Sequence, residues 1–274
     1  MNKRLIIIVV VLTLGLGLFI SKGRKQSSST IVETATQTAS ARKLFEQAKR
    51  YAQDNELLLS KALYQDILNN HPDYPQIQDV QEKIENLNMN IIFSPTLITD
   101  ASQYYEVKPG DTLIKIAKKF NTTVGLIKKI NMLKSTVIHP RRKLKIWTAG
   151  FSLLVDKSQN ILLLNYEQET IKTYVVATGM NNSTPVGNFK IVNKLVDPVW
   201  FRSDVGAVVP SDSPENILGS RWMGFDIDGY GIHGTTKPES IGSQATKGCI
   251  RMKNEEVEEL FMLIPVGAEV TIIN

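Results

Sequence analysis

The spacing of apolar positions changes from segment to segment along the chain, and each change marks a boundary. Leu5 to Ile20 is a run of sixteen residues without a charge, flanked by Asn2-Lys3-Arg4 and by Ser21-Lys22-Gly23-Arg24-Lys25. It falls just short of the roughly 17 to 25 residues of a spanning helix and exceeds the about 7 to 15 of a signal-peptide core. Such a run addresses the chain to the export machinery. No small-x-small cleavage site follows Gly17, which favours a membrane anchor over residues 1–26 against a removed signal. Basic residues at both ends leave its orientation open. From residue 27 to residue 40 the chain is mostly Ser, Thr, Gln and Ala without a hydrophobic period, the pattern of a flexible linker.

Helical spacing begins at Ala41 and predicts an α-helical segment over 41–90. Ala41, Leu44, Phe45, Ala48 and Tyr51 fall on one face, and Leu58, Leu59, Ala62, Leu63, Ile67 and Leu68 on the next. Asp54-Asn55 breaks the two, and Pro72 stops the second. Ile77, Val80, Ile84 and Leu87 mark a third helix. Ala62-Leu63-Tyr64 with the closing Pro72 looks like a tetratricopeptide hairpin, although one and a half units is fewer than the three such repeats usually need. The segment reads as a spacer or as a docking site for a protein partner.

Ser94 to Ser102 is a second linker, followed by a compact unit over 104–148. Tyr105-Glu106-Val107 alternates as a strand, and Pro109-Gly110 turns it into a helix that Asp111 or Thr112 can cap. Leu113, Ile116, Ala117 and Phe120 face inward from that helix. Thr123 caps a second helix with Val124, Ile127 and Ile130 inward, and Lys143 to Ile146 alternates as a closing strand. The unit is α+β, in the order strand, helix, helix, strand. Over 150–274 the runs Phe151–Val155, Ile161–Tyr166, Ile171–Thr178 and Glu269–Ile273 predict a mainly-β domain. One helix carries Val257, Leu260, Phe261 and Ile264, with Asn254 as its cap.

Composition narrows the chemistry. With 42% apolar and 22% charged residues the chain is neither disordered nor a polytopic membrane protein. A single cysteine and three histidines exclude a disulfide within the chain and a cysteine-based zinc site, so the chemistry reads as free of metal and cofactor. The net charge of +5 averages unlike halves, +10 over residues 1–150 and −5 over the rest. Between Tyr104 and Ala149, 11 Lys and Arg face only Glu106 and Asp111, which fits an anionic or wall-like partner. The export signal argues against nucleic acid as that partner.

Tyr105-Glu-Val-Lys-Pro-Gly-Asp-Thr-Leu113, with Ile116-Ala-Lys-Lys-Phe120, Asn131 and Leu144-Lys-Ile146, resembles a LysM domain over residues 105–147. The resemblance implies binding of N-acetylglucosamine-containing glycans such as peptidoglycan. The groove would lie between Gly110, Asp111, Thr112 and Leu113 on one side and the loop Val137–Pro140, centred on Ile138, on the other. Where the family has Pro-Gly-Gln or similar after the second loop, this chain reads His139-Pro140-Arg141-Arg142.

Cys249 is the only thiol, set in Thr246-Lys247-Gly248-Cys249-Ile250-Arg251. Catalysis by cysteine needs a base and donors for an oxyanion. Gly248 lets a carbonyl approach the backbone, and Lys247 and Arg251 favour a thiolate. Of the histidines, His71 ends a helix before Pro72 and His139 lies in the basic unit before Pro140. His233 sits among glycines in Gly229-Tyr-Gly-Ile-His233-Gly-Thr-Thr236, sixteen residues before the cysteine. Taken singly, each of Cys249 and His233 could be a packed core residue. Jointly, glycine-rich surroundings and an unpaired thiol in an exported chain favour use over packing.

This constellation resembles the L,D-transpeptidase catalytic domain through Ile232-His-Gly-Thr235, Thr246-Lys-Gly-Cys-Ile-Arg-Met252 and Ser183-Thr-Pro-Val-Gly-Asn-Phe189. The resemblance makes Cys249 the nucleophile, His233 the general base, and the backbone around Gly248 and Cys249 the oxyanion hole. Arg251 would anchor the site or meet a substrate carboxylate. Thr246, Lys247, Gly234 and Thr235 complete the implied substrate contacts, and Tyr230 and Trp222 line or floor the pocket. Lys247 replaces the family's more usual histidine. The implied reaction is acyl transfer on peptidoglycan stem peptides, with water as acceptor giving a carboxypeptidase instead. A wall-binding scaffold without catalysis is the competing class, and both place residues 21–274 outside the cytoplasmic membrane.

Overall fold

The computed structural model describes residues 28–202 and 206–274. The apolar run Leu5–Ile20, and the anchor read from it, lie outside the described residues. Among the described residues no helix is long and apolar enough to cross a membrane.

The chain divides into two compact units at Gln81. In the first, α1 (Ser28–Gln53) and α2 (Leu57–Asn70) pack as a hairpin turned at Asn55, whose φ is +61°. Ala41, Phe45 and Ala48 of α1 are buried with Tyr64 and Ile67 of α2, and the Phe45 and Tyr64 rings meet edge-on at 5.5 Å. Two expectations are corrected here. The linker expected over 27–40 is helical from Ser28, because neither Gly nor Pro interrupts the stretch and the packed turns from Ala41 onward supply a nucleus to extend. The buried stripe of α2 is Ser60, Tyr64 and Ile67, while Leu58 and Leu59 stand 46% and 50% exposed. Ser60 can be buried because its hydroxyl donates to the Ala48 carbonyl at 2.8 Å.

In the second unit, the later half of α3 (Ile77–Phe93) leads into β1 (Ser102–Glu106), α4 (Leu113–Lys119), α5 (Val124–Ile130) and β2 (Lys143–Trp147). β1 and β2 pair antiparallel from Ser102↔Trp147 to Glu106↔Lys143. Thr112 and Thr123 cap the two helices, accepting the N–H groups of Lys115 and Leu126. Leu113, Ile116, Ala117, Ile127, Leu144 and Ile146 close a small core. α5 has a second apolar face: Leu126 and Ile130 join Met89, Ile92 and Trp147 in the main core of the unit. Lys145 is buried as well, its ammonium donating to the carbonyls of Ser94 and Ile91 at the end of α3. Burial lowers its pKa to about 8.

Beyond Gly150 the chain forms β3 (Phe151–Asp156), β4 (Ile161–Tyr166), β5 (Glu169–Val175), β6 (Thr178–Gly179), β7 (Gly187–Val196), β8 (Trp200–Arg202), β9 (Ala207–Val209), β10 (Arg221–Phe225), β11 (Gly231–His233), β12 (Gln244–Thr246), β13 (Ile250–Arg251), α6 (Asn254–Leu263) and β14 (Glu269–Ile273). Eight strands make one mixed sheet in the order β13-β11-β10-β7-β14-β3-β4-β5. Alternation sends Leu153, Val155, Ile191, Met223, Ile232, Ile250, Val270 and Ile272 into the core, where Val257, Leu260 and Leu263 of α6 cover them. α6 also meets α5: the Thr123 hydroxyl bonds the Met262 carbonyl, and a Cβ on Gly125 would lie 3.1 Å from Met262 Cγ. The βααβ unit is thereby packed against the sheet domain rather than tethered to it.

Candidate active site

At one edge of the sheet β11 and β13 run parallel, pairing Ile232↔Ile250 and His233↔Arg251. Since both isoleucines are in the core, His233 and Arg251 face the other side, and Cys249 precedes the first pair beside Gly231. The pairing thus brings thiol and imidazole to the same edge of the sheet.

His233 is 2% exposed. Its Nδ1 lies 2.7 Å from the Gly234 carbonyl, and a carbonyl only accepts, so Nδ1 carries the proton and Nε2 is left as the basic position. Burial lowers the pKa of His233 to about 4, with Arg251 pushing the same way against the carbonyls of Gly234 and Leu218. The imidazole therefore rests neutral. The indole of Trp222, opposite His233 in the β10–β11 pair, stacks on it at 6.1 Å and 19°.

Cys249 is half-buried, and its thiol donates to the Gly229 carbonyl at 3.3 Å rather than to His233. Burial pushes the thiol pKa up, while the Gly231 N–H and the Arg251 guanidinium pull it down. Arg251 is 6% exposed, donates to Ser240 Oγ at 3.0 Å, and has a buried Nε with no partner among the described residues. Lys247 stands exposed, and the buried Arg251 guanidinium acts on the thiol.

The loop that presents Cys249 is shaped from within. Thr246 Oγ1 donates to the Cys249 carbonyl at 2.7 Å and accepts the Gly248 N–H at 3.1 Å. Its hydroxyl and the Gly248 N–H are thus engaged inside the loop rather than offered to a ligand. Gly248 has φ +136°, and a Cβ there would collide with the Tyr230 ring, so Tyr230 packs under the loop. The Ser183–Phe189 motif braces the other side: Thr184 Oγ1 accepts the Gly179 N–H at 2.8 Å, and a Cβ on Gly179 would stand 2.9 Å from Gly248 Cα.

Asn254 corrects a further expectation. It does not cap α6, whose cap residue is Lys253. Its Oδ1 accepts the N–H groups of Ser220 and Thr235, and its Nδ2 donates to the Thr235 carbonyl. Gly219 and Gly234 have no room for a Cβ against this amide. Gly234 and Thr235 are thus buried clamp points, and the Thr235 hydroxyl is engaged by the Lys237 N–H. Sequence reasoning missed Asn254 in this role, along with Gly179 and the flanking donors and acceptors of Gly229 and Gly231.

On the βααβ unit, Gly110 is exposed with φ +84°, and Asp111 ties its loop by accepting the Tyr105 hydroxyl and the Lys108 N–H, both at 2.8 Å. These bonds hold the Asp111 carboxyl below its usual pKa range. Thr112 caps α4 and remains exposed. Leu113 is 2% exposed and Ile138 is half-buried, so both fix the loops from inside; Val137 and Ile114 are the exposed apolar side chains beside them.

The architecture is that of a mainly-β domain carrying a thiol and a buried imidazole at one sheet edge, packed against a βααβ unit. A family model for the L,D-transpeptidase catalytic domain matches residues 150–272, and one for the LysM domain matches residues 105–147. The chain is 40% identical over 126 residues to YqjB of Bacillus subtilis (strain 168), covering 44% of this chain and 69% of that protein. It is 31% identical over 175 residues to YkuD of the same organism, covering 61% and 97%. Both are named as L,D-transpeptidases. The chain belongs to the L,D-transpeptidase family of peptidoglycan-modifying enzymes and carries a LysM domain, the wall-binding module of such proteins.

Proposed function

We propose that Cys249 attacks the carbonyl of the third residue of a peptidoglycan stem, with His233 taking the thiol proton. The single observation that supports this reading is the β11–β13 pairing, which brings His233, its Nδ1 engaged by the Gly234 carbonyl and its Nε2 left as the basic position, to the sheet edge where Cys249 enters β13. Thiol and imidazole rest neutral, so the proton moves as substrate arrives rather than before. A rotation about χ1 of Cys249, away from the Gly229 carbonyl, turns the sulfur toward the base.

The resulting tetrahedral oxyanion needs donors. The Gly248 N–H is engaged by Thr246, which leaves the Cys249 N–H as the loop's donor. Collapse expels the terminal D-alanine with the proton from His233 and leaves a thioester on Cys249. An amine of a neighbouring stem then attacks the thioester, giving a 3→3 cross-link and restoring the thiol. The unpartnered Nε of buried Arg251 supports a role for this residue in receiving a substrate carboxylate, which would satisfy that donor. The LysM loops at Gly110–Thr112 and Val137–Ile138 would hold the glycan strand. Attachment to the outer face of the cytoplasmic membrane through residues 5–20, and a protein partner for the helical hairpin, rest on the sequence pattern alone.

The test is mass spectrometry of muropeptides after incubation with tetrapeptide-stem substrate, beside Cys249→Ala. Loss of D-alanine with new 3→3 dimers, absent in the variant, is expected. Binding to sacculi with no turnover by either protein would favour a scaffold.

A further inference from the structure

Trp222 is held on three sides. One face stacks on His233, its partner across the β10–β11 pair. Its Nε1–H donates to Asn193 Oδ1 on β7 at 3.0 Å. Beneath it the sheet has been emptied of side chains: a Cβ on Gly224 would stand 2.8 Å from Trp222 Nε1, and one on Gly231 would stand 2.9 Å from Trp222 Cζ2. Gly224 pairs with Gly231 in the same register, and Gly231 is also the residue whose N–H reaches the Cys249 sulfur. An indole lying flat over two glycines, latched at its nitrogen and stacked at its face, has little freedom. It also covers the backbone that adjoins both reacting groups.

We infer that Trp222, latched by Asn193, is a positioning residue that fixes the His233 ring and keeps water from the His233–Cys249 pair, so that the pair rests uncharged until substrate enters. This rests on the reading of that pair as catalytic. The physical reason is desolvation: thiolate and imidazolium are the charged forms, and excluding water disfavours both. The direction of both pKa shifts, His233 down and Cys249 up with burial as the largest cause of each, agrees with such a shield. Among the charges, Arg251 adds to the fall at His233 and opposes the rise at Cys249, so it cannot produce both shifts. From β13 the groups facing His233 are Arg251 and Cys249; β10 offers Trp222 and α6 offers Asn254, neither of which ionises. Glu256, Glu258 and Glu259 of α6 pair with Lys253, Arg221 and Lys172. A neutral thiol is also a poor target for oxidants, which suits an exported protein.

The experiment follows the rate of Cys249 alkylation by iodoacetamide against pH in the full-length protein, together with the NMR titration of His233. The chain has three histidines, so His71→Gln and His139→Gln assign the signals. Trp222→Ala is expected to lower the alkylation midpoint by about one pH unit, roughly tenfold more thiolate at neutral pH, and to raise the His233 midpoint, while turnover falls. Unfolding would also expose the buried thiol and imidazole, so the midpoints are read only for variants whose urea unfolding shows a folded protein. In a folded variant, higher thiol reactivity with lower turnover is a pairing that a lost substrate contact would not give. Asn193→Ala and Trp222→Phe should shift both midpoints the same way by less. Should Trp222→Ala fail to fold, these two variants decide the matter. Midpoints equal to wild type in the folded variants, with any loss confined to KM, would overturn the proposal and leave Trp222 a substrate wall. Neither readout needs turnover, so a wild-type protein inactive on stem peptides would sink the catalytic reading while the midpoints still judge the latch.

Discussion

Asn254 grips Thr235 with both ends of its amide, Oδ1 accepting the Thr235 N–H at 3.0 Å and Nδ2 donating to the Thr235 carbonyl at 2.9 Å. Through that grip, and a third bond from the Ser220 N–H, the start of α6 fixes the backbone that follows His233. The Gly234 carbonyl that sets the His233 tautomer lies within the gripped segment.

Asn254→Ala leaves two N–H groups and one carbonyl short. At about 1–3 kcal/mol for each buried group left unsatisfied, softened by relaxation, the loss of stability should be roughly 2–4 kcal/mol. Asn254→Asp retains the acceptor and should lose less. Urea unfolding of the three proteins measures this, and equal midpoints would show that the clamp is idle.

Stability should depend on His233 between mildly acidic and acid pH. Its folded pKa, about 4, is below the ordinary 6.5, so the unfolded chain binds the proton first. The neutral ring's contribution is complete above pH 6.5 and is lost as pH falls toward 4, by about 3 kcal/mol at most. His233→Gln should flatten this part of the pH–stability curve. The raised thiol pKa of Cys249 acts at the other end, where its contribution is lost as pH rises above 9.

Gly125 tests how the LysM domain is mounted. Gly125→Ala adds helix propensity worth up to about 1 kcal/mol and asks only the flexible Met262 side chain to yield, so it should be close to neutral. Gly125→Phe cannot fit between α5 and α6 and should cost about 1–3 kcal/mol. Chemical denaturation should also show residues 82–274 unfolding in one transition; two separate transitions would contradict the shared core.

Lys247→His should leave turnover and its pH optimum unchanged, because the buried Arg251 guanidinium, kept in the variant, acts on the thiol. A shifted optimum would put residue 247 in the proton path.

Much of this was legible in the sequence, for identifiable reasons. Cys249 and His233 stood out because thiols and imidazoles are scarce in the chain and these two sit among glycines. The strands β3, β4 and β14 followed from their apolar or alternating runs at nearly their observed bounds. Asn254 was misread because capping is a rule about neighbours, whereas its partners are 19 and 34 residues away. On α2, the Leu57-Leu58-Leu59 run offers several apolar stripes, and only the facing helix selects Tyr64 and Ile67. The second face of α5 was hidden for the same reason: a pattern shows that Leu126 and Ile130 are apolar, not that another domain covers them. Trp222 could be read as a pocket wall or core residue, and the cross-strand register that stacks it on His233 is not written locally.

The central claim is a thioester on Cys249. Intact-protein mass spectrometry of the full-length chain mixed with a tetrapeptide-stem substrate, in the absence of an acceptor amine, tests it most directly. The account predicts a mass gain equal to the stem fragment less D-alanine, located on the peptide bearing Cys249, removed by hydroxylamine and absent in Cys249→Ala. D-alanine release by Cys249→Ala at the wild-type rate, or an adduct on any other residue, would contradict it.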